Sequence, residues 1–512
     1  MKPSPARNWL KTLALFAAAL GLGLAYAPFP FRFLAFVCLV PLLWILGRPD
    51  CRKPFLWGWL FGSLAAGFHL WWIWFLLVPV ETVTRVLLNL GVVLLFAYLG
   101  LYVGLFALIV RRLGIWSAPL VWPVLEFVRS RTQIAFPWEL LGYTMTPYAP
   151  FIQPAALGGV FLVSAWVVLV NVLALRLLSA FLRARPGRLR ATAGNLALLA
   201  LTFAAPLVWS FFHIRPLRPW FTAAIVQPNV SPLDKGDWNA RNQLTSDLIS
   251  LTRTGAARGG KLVIYPETAT LVDVTHSTTL GPALQHLADS LDVEILTGTP
   301  VYDDWRRTWH NGTVLIQPGA DSISQRYYKL RLVPFSEKIP YADEIPLLRK
   351  LIGTSDMGNW DRGWFHTIFR YRPGRFSTLI CYEAIFPDLT REFARRGAEL
   401  LVVVTNDGWF GRLPGAHQHA ELAVMRTVET GLPMVRSANN GISFIVDPFG
   451  RVLKKTALFV QDVLVGEVPR PTATTFYVRF GDWFILLCLV AILAGFVVRA
   501  VSARRSRPAA YR

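Results

Sequence analysis

The sequence has little charge and very little acid. Asp and Glu number 31 against 52 Lys and Arg, and charged residues of both signs make up only 16% of the 512 positions, whereas 54% are hydrophobic. That balance excludes an ordinary soluble protein and a disordered chain alike. Cysteine is scarce: Cys38, Cys51, Cys381 and Cys488 are scattered unevenly, with no C-x-x-C pair. This argues against a disulfide framework and against a thiolate zinc site. No G-x-x-x-x-G-K-[ST] loop is present to cradle a nucleotide phosphate. Among the eight histidines, His417 and His419 in "GAHQHAE" are paired at i,i+2, a spacing that does not converge on a helix. They read as packing or capping residues. No metal and no cofactor are expected.

What is present is apolar and segmental. About eight stretches approach the roughly 20 residues a membrane span requires: 10–27, 31–47, 55–79, 86–110, 115–128, 157–181, 193–212 and 482–499. The fifth contains Pro119, Pro123 and Glu126. In the first, "AYA" at 25–27 resembles a signal-peptide cleavage site, but Pro28 follows at once, so the segment is read as a span. With the N-terminus inside, the inner segments hold Lys2, Arg7, Lys11, Arg48, Arg52, Lys53, Arg111, Arg112, Arg183, Arg185, Arg188, Arg190, Arg499, Arg504, Arg505, Arg507 and Arg512. The short outer loops hold only Arg32, Arg85, Arg129 and Arg131. Positive-inside asymmetry explains the net charge of +21 without nucleic acid, and it puts the hydrophilic portion on the outer face. The outer loop "FPWELLGYTMTPYAPFIQP" (136–154) reads either as an interfacial aromatic belt or as the wall of a lipid-facing cleft.

Three parts follow: a transmembrane domain at 1–213, an α/β domain at 214–480, and a last span with a basic tail at 481–512. Strand patterns fall at 222–227, 261–267, 293–301, 313–318, 376–383 and 398–407, and helical patterns at about 239–255, 280–291, 388–395 and 417–430. The stretch 433–453 reads as two strands around Asn439, Asn440 and Gly441, closed by a "DPFG" turn. Three strands end in a reactive or polar side chain: Glu267 after "LVIYP", Cys381 after "STLI", and Asn406 with Asp407 after "LVVVT". Sites in open α/β folds form beyond the carboxyl ends of strands.

A thiol attacks as its thiolate and needs a base. A carboxylate whose pKa is raised by burial can serve, which makes Glu267 a candidate, and Lys329 in "YYKLRLVPFSE" can meet a developing oxyanion. Taken singly, each has a plainer reading: Cys381 as a small buried hydrophobe, Lys329 as a snorkelling side chain, Glu267 as a cap.

Their flanks narrow the choice. "YPET" (265–268), "KLRLVPFSE" (329–337) and "CYEAIFPD" (381–388) resemble the nitrilase superfamily. With the membrane segments, "FPWELLGY" (136–143), "NDGWFG" (406–411) and the stretch 417–443, nearly the whole chain resembles the bacterial apolipoprotein N-acyltransferases. The resemblance implies a four-layer α-β-β-α sandwich inserted between the seventh and eighth spans of an inner-membrane protein, facing the periplasm. It implies a triad of Glu267 as general base, Lys329 as transition-state stabiliser and Cys381 as nucleophile, with Glu337, Tyr382, Glu383 and Trp238 in support. Glu337 and Glu383 would orient Lys329 or the incoming amine, or form a structural ion pair. Arg331, Ser336 and Gly408 stand where the family usually has His, Gly and Ser.

The implied reaction moves an acyl chain from a phospholipid to the N-terminal amine of a diacylglyceryl-apolipoprotein, through a thioester and without a cofactor. Trp409, Phe410, Phe335 and Ile339 either gate lipid access or pack in the core. Two other readings stay open at this point: a membrane-tethered amidase using the same triad, and a transporter whose outer domain only binds.

Overall fold

The computed structural model describes residues 5–78, 81–182, 188–231, 238–341, 344–345 and 360–505. Lys2, Arg183, Arg185, Arg507 and Arg512 lie outside the described residues, as do the side chains of Arg7, Arg188, Arg190, Arg504, Arg505 and Trp238.

Among the described residues four helices are long and apolar enough to cross a bilayer: Thr82–Leu113, Ala155–Leu182, Thr192–His213 and Trp483–Ala503. The other apolar stretches are shorter or broken. The fifth expected span becomes a 12-residue helix, Ala118–Arg129. At 1.5 Å per residue that is about 18 Å, short of a hydrocarbon core of about 30 Å. Its Glu126 is buried and accepts from Trp122 Nε1 at 2.9 Å and from the backbone of Leu141 at 2.7 Å, so the segment packs against protein rather than lipid. The third, expected over 55–79, is helical only over Pro54–Leu70 and then tightens into a 3₁₀ turn at Trp71–Phe75. The second divides into a 3₁₀ turn at Arg32–Phe36 and a short helix at Val40–Gly47.

Among the described residues twelve strands form two six-stranded sheets. In chain order they are β1 (Pro219–Gln227), β2 (Leu262–Ile264), β3 (Glu294–Asp303), β4 (Thr308–Ile316), β5 (Gln325–Tyr328), β6 (Phe369–Tyr371), β7 (Gly374–Ile380), β8 (Leu400–Thr405), β9 (Met434–Ala438), β10 (Phe444–Val446), β11 (Val452–Lys455) and β12 (Asp462–Pro469). One sheet runs β12-β1-β2-β3-β4-β5 and the other β11-β10-β9-β8-β7-β6. The central strands β1, β2, β3 and β7, β8, β9 are parallel, and the outer pairings are antiparallel.

Alternation explains the layering. Successive side chains on a strand point to opposite faces. On β1, Ala223 and Ile225 enter the core shared with the second sheet, whereas Ala224 and Val226 join Leu244, Leu248, Leu284 and Leu287 of the helices Trp238–Ala257 and Leu280–Leu291. A strand buried on both faces reads as a continuous apolar run, as "AAIV" does. The helices Pro387–Arg395 and Pro414–Thr430 belong to the second sheet's side, and Thr313 and Thr378 bridge the two sheets by a hydroxyl pair at 2.9 Å.

The loop 136–154 is neither an aromatic belt facing lipid nor an open cleft wall. Trp138 and Leu140 through Met145 are buried. Tyr143 donates to the carbonyl of Ile385 at 3.3 Å, and Gln153 to that of Phe449 at 2.9 Å, so the loop is a platform under the sandwich. A second joint lies at Gln418. Its Oε1 accepts from the indoles of Trp72 (3.0 Å) and Trp138 (2.9 Å), and its Nε2 donates to the carbonyls of Ala27 (3.0 Å) and His69 (3.3 Å). The helix Ala155–Leu182 breaks at Gly158 and Gly159, and Glu429 of the sandwich accepts the Val160 N–H beside this break at 2.8 Å. Gly159 has φ +69°, and a Cβ there would stand 2.9 Å from the Tyr477 ring, so only glycine fits.

Candidate active site

Polar residues that follow four strands meet at one end of the sandwich. Glu267 stands three residues beyond β2, Lys329 directly after β5, Cys381 directly after β7, and Asn406 and Asp407 directly after β8. Glu267 is 7% exposed and Lys329 only 1%. Lys329 Nζ donates to Glu337 Oε1 at 2.8 Å and to Glu267 Oε1 at 3.3 Å. Asn311 on β4 ties the two carboxylates together, giving Nδ2 to Glu267 Oε1 at 2.8 Å and to Glu337 Oε1 at 3.2 Å. The remaining oxygens are held by backbone: Glu267 Oε2 accepts the Asn406 N–H at 3.0 Å, and Glu337 Oε2 that of Val333 at 2.8 Å. One buried ammonium therefore faces two fixed carboxylates. Burial opposes its charge, but Glu337, Glu267 and Cys381 outweigh burial and hold the Lys329 pKa above its ordinary value.

Cys381 is the partly exposed member, and it opens the 3₁₀ turn Cys381–Ile385. Its φ is +53°, a left-handed conformation costing a non-glycine residue about 1–2 kcal/mol. The surroundings hold it there. His419 Nε2 donates to the Cys381 carbonyl at 3.1 Å, and His419 Nδ1 lies 2.8 Å from Asp407 Oδ1, whose other oxygen accepts from Arg436 at 2.7 Å. Burial would raise the Asp407 pKa, but Arg436 and His419 hold it well below the usual carboxylate range. The thiol itself is pushed up, by burial first and then by the charges of Glu267 and Asp407, against the opposing pull of Lys329. At neutral pH it rests protonated, which makes a neighbouring base a requirement of its reactivity.

The supporting residues divide. Glu337 touches Lys329 as expected. Among the described residues Glu383 makes no hydrogen bond to Lys329. It is fully buried, and its carboxylate accepts from Tyr327 OH (2.8 Å) and from the N–H groups of Leu330 (2.6 Å), Arg331 (3.0 Å) and Ile380 (2.8 Å). It clamps the backbone beside Lys329 to the backbone before Cys381. Burial pushes its pKa up to about 7, against those donors. Tyr382 points away from the thiol, its hydroxyl donating to the Ala135 carbonyl at 2.8 Å. Trp238 opens the helix Trp238–Ala257. Of the apolar loop residues, Phe410 packs on Trp72 with ring centroids 5.1 Å apart, whereas Phe335 is 57% exposed.

Three contributors escaped the sequence reading: Asn311, Gln418 and Arg436. Each is polar within an apolar or helical stretch, which is the only signal the chain offers. His419 does pack, as its spacing suggested, against the Cys381 carbonyl.

Comparison with known proteins agrees with this geometry. Residues 222–477 match the family model for carbon-nitrogen hydrolase, and residues 18–173 match that for the apolipoprotein N-acyltransferase N-terminal domain. The apolipoprotein N-acyltransferase of Geobacter metallireducens is 33% identical over 484 residues, covering 92% of this chain and 91% of that protein. That of Chlorobaculum tepidum is 30% identical over 509 residues, covering 93% and 92%. Saccharomyces cerevisiae Nit3, a member of branch 10 of the nitrilase superfamily, aligns in structure with a TM-score of 0.39 at 18% identity, over 50% of this chain and 92% of its own. On the family models and the full-length relatives together, the chain belongs to the apolipoprotein N-acyltransferase family.

Proposed function

We propose that the protein transfers an acyl chain from the sn-1 position of a phospholipid to the N-terminal amine of the S-diacylglyceryl-cysteine of apolipoproteins, by a thioester on Cys381. The observation that carries this reading is a half-buried thiol and a fully buried ammonium grouped around one carboxylate, Glu267, in a domain seated on apolar helices.

Glu267 takes the thiol proton, and the thiolate attacks the ester carbonyl carbon. Lys329 and the Tyr382 backbone N–H receive the developing oxyanion. The tetrahedral intermediate expels the lysophospholipid, which takes the proton back from Glu267. The free α-amine of the second substrate then attacks the thioester. Glu267 accepts an amine proton as the C–S bond breaks, and the thiol is restored. An ester is already an activated donor, so no nucleotide, metal or organic cofactor enters. Glu337 shares the charge of Lys329 and leaves Glu267 free to act as base; Tyr382, Glu383 and Trp238 support the site.

The architecture suits two membrane-anchored substrates. In this reading residues 1–213 form a transmembrane domain, 214–480 the catalytic domain, and 481–512 a last span with a basic tail. The catalytic domain faces the periplasm from the inner membrane, in keeping with the arginine and lysine asymmetry.

The test supplies a phospholipid with an isotope-labelled sn-1 chain together with a diacylated lipopeptide bearing a free N-terminus. The expected product is lipopeptide heavier by one labelled acyl group, with none formed from an N-acetylated lipopeptide. Label released only as free fatty acid would overturn acyl transfer in favour of hydrolysis.

A further inference from the structure

A second site lies in the part of the membrane domain farthest from the catalytic one. The helix Trp483–Arg505 starts beside Asp482, which is paired with Arg131 and Arg391 at the base of the sandwich. Arg499 is sixteen residues further on, about 24 Å along the axis. The helix Thr82–Leu113 starts close to Leu77, whose N–H bonds the carbonyl of Trp409, and it carries Arg111 and Arg112 in its last turn. Between these far ends lies a cavity of about 810 Å³, lined by Arg111, Arg112 and Arg499 with apolar walls including Leu46, Ile115 and Phe496. No carboxylate lines it.

Two ordinary explanations account for the charges but not for the cavity. Basic residues at inner loops set topology, and basic residues in a last helical turn complement the helix dipole. Either purpose is served by side chains spread into water. Here guanidinium groups from two separate helices line one concavity, where like charges repel unless an anion stands among them. Arg499 Nη2 reaches within 4.0 Å of where a Cβ on Gly114 would stand, bringing the second helix's charge to the end of the first. Arg111 is anchored, donating to the carbonyls of Leu46 (3.0 Å) and Pro49 (3.2 Å). Arg112 and Arg499 have neither a hydrogen bond nor an ion pair among the described residues.

We propose that this cavity binds the phosphate of an anionic phospholipid at the membrane face opposite the catalytic domain. Guanidinium is the group suited to paired hydrogen bonds with phosphate oxygens. Basic pockets between helices at a membrane surface hold anionic headgroups. The choice of a lipid over a soluble phosphate rests on the apolar walls among which the arginines stand, Leu46, Val110, Ile115 and Phe496.

Native mass spectrometry of the full chain tests this, with dialkyl-ether phosphatidylglycerol as probe because it has no ester to turn over. Dialkyl-ether phosphatidylcholine and sn-glycerol 3-phosphate are the controls. The wild type is expected to retain phosphatidylglycerol in preference to phosphatidylcholine, and glycerol phosphate at equal concentration is expected not to displace it. Each basic residue at an anionic lipid surface contributes about five-fold, so Arg112→Gln with Arg499→Gln lowers retention about twenty-five-fold. Acyl transfer to lipopeptide stays at the wild-type level in that variant. Should it fail to fold, Arg112→Lys with Arg499→Lys keeps the charge and removes the fork, and a several-fold loss is expected. Equal retention by the folded variant and the wild type, equal retention of phosphatidylcholine, or displacement by glycerol phosphate would each overturn the proposal.

Discussion

Replacing Glu337 tests the arrangement of one ammonium between two carboxylates. Glu337 accepts from Lys329 Nζ, Asn311 Nδ2 and the Val333 N–H. Glu337→Ala takes an acceptor from all three donors, one of them charged, though Asn311 Nδ2 keeps Glu267 Oε1 at 2.8 Å. Lys329 keeps Glu267 at 3.3 Å, so the buried charge is not left alone. The stability loss is therefore about 2–4 kcal/mol, below that of an uncompensated ion. The catalytic loss is larger. With Glu337 gone, the ammonium closes on Glu267 and is drawn from the position where an oxyanion forms. Loss of a positioned base lowers rate by about 10²–10⁴. Glu337→Gln separates the two effects. It keeps size and one acceptor oxygen, so stability falls by about 1–2 kcal/mol, yet the charge is gone and acylation slows by the same 10²–10⁴. The assay is the single-turnover rate of phospholipid-dependent mass gain, beside thermal inactivation of the same sample. Acylation by Glu337→Gln within three-fold of the wild type would refute the reasoning.

Further outcomes follow from neighbouring groups. Glu383 has a pKa raised to about 7, so it is protonated below that pH and loses its capacity to accept four donors at once. Acylation should rise through pH 7 in the wild type and lose that limb in Glu383→Gln, measured as a pH–rate profile. The sign for stability is opposite. Between the unfolded value near 4.5 and the folded value near 7, the native state binds the extra proton, so this group's contribution is full below the window and is lost as pH rises through it. Gln418→Leu leaves two buried indole N–H groups without acceptors, at about 1–3 kcal/mol each, and should accelerate thermal inactivation while leaving the triad residues intact. His419→Ala frees the Cys381 carbonyl and should slow acylation with little change in the apparent affinity for phospholipid.

The sandwich could be read in sequence because its central strands are buried on both faces. "LVIYPE", "STLICYE" and "LVVVTND" are continuous apolar runs ending in a polar group, so they announce both a strand and the end that carries chemistry. β12 was invisible for the converse reason: "DVLVGEVP" is an antiparallel outer strand with Asp462, Gly466 and Glu467 breaking its pattern. β5 is four residues with Gln325 and Arg326 at its start. In the membrane segments hydropathy and length part company. Composition alone does not show that Glu126 folds back onto Trp122 and Leu141, or that the chain turns at Trp71. The clamp of Glu383 and the joint at Gln418 depend on contacts across hundreds of residues. A single sequence gives such residues their polarity and nothing of their partners.

The central claim is that Cys381 carries the acyl group. The most direct measurement is the intact mass of the protein after exposure to phospholipid alone, beside Cys381→Ala and Cys381→Ser. The account predicts one added acyl mass on the wild type, released by hydroxylamine, persistent until an amine-bearing lipopeptide arrives, and missing from Cys381→Ala. Lipid turnover by Cys381→Ala at the wild-type rate, with no adduct on either protein, would contradict it.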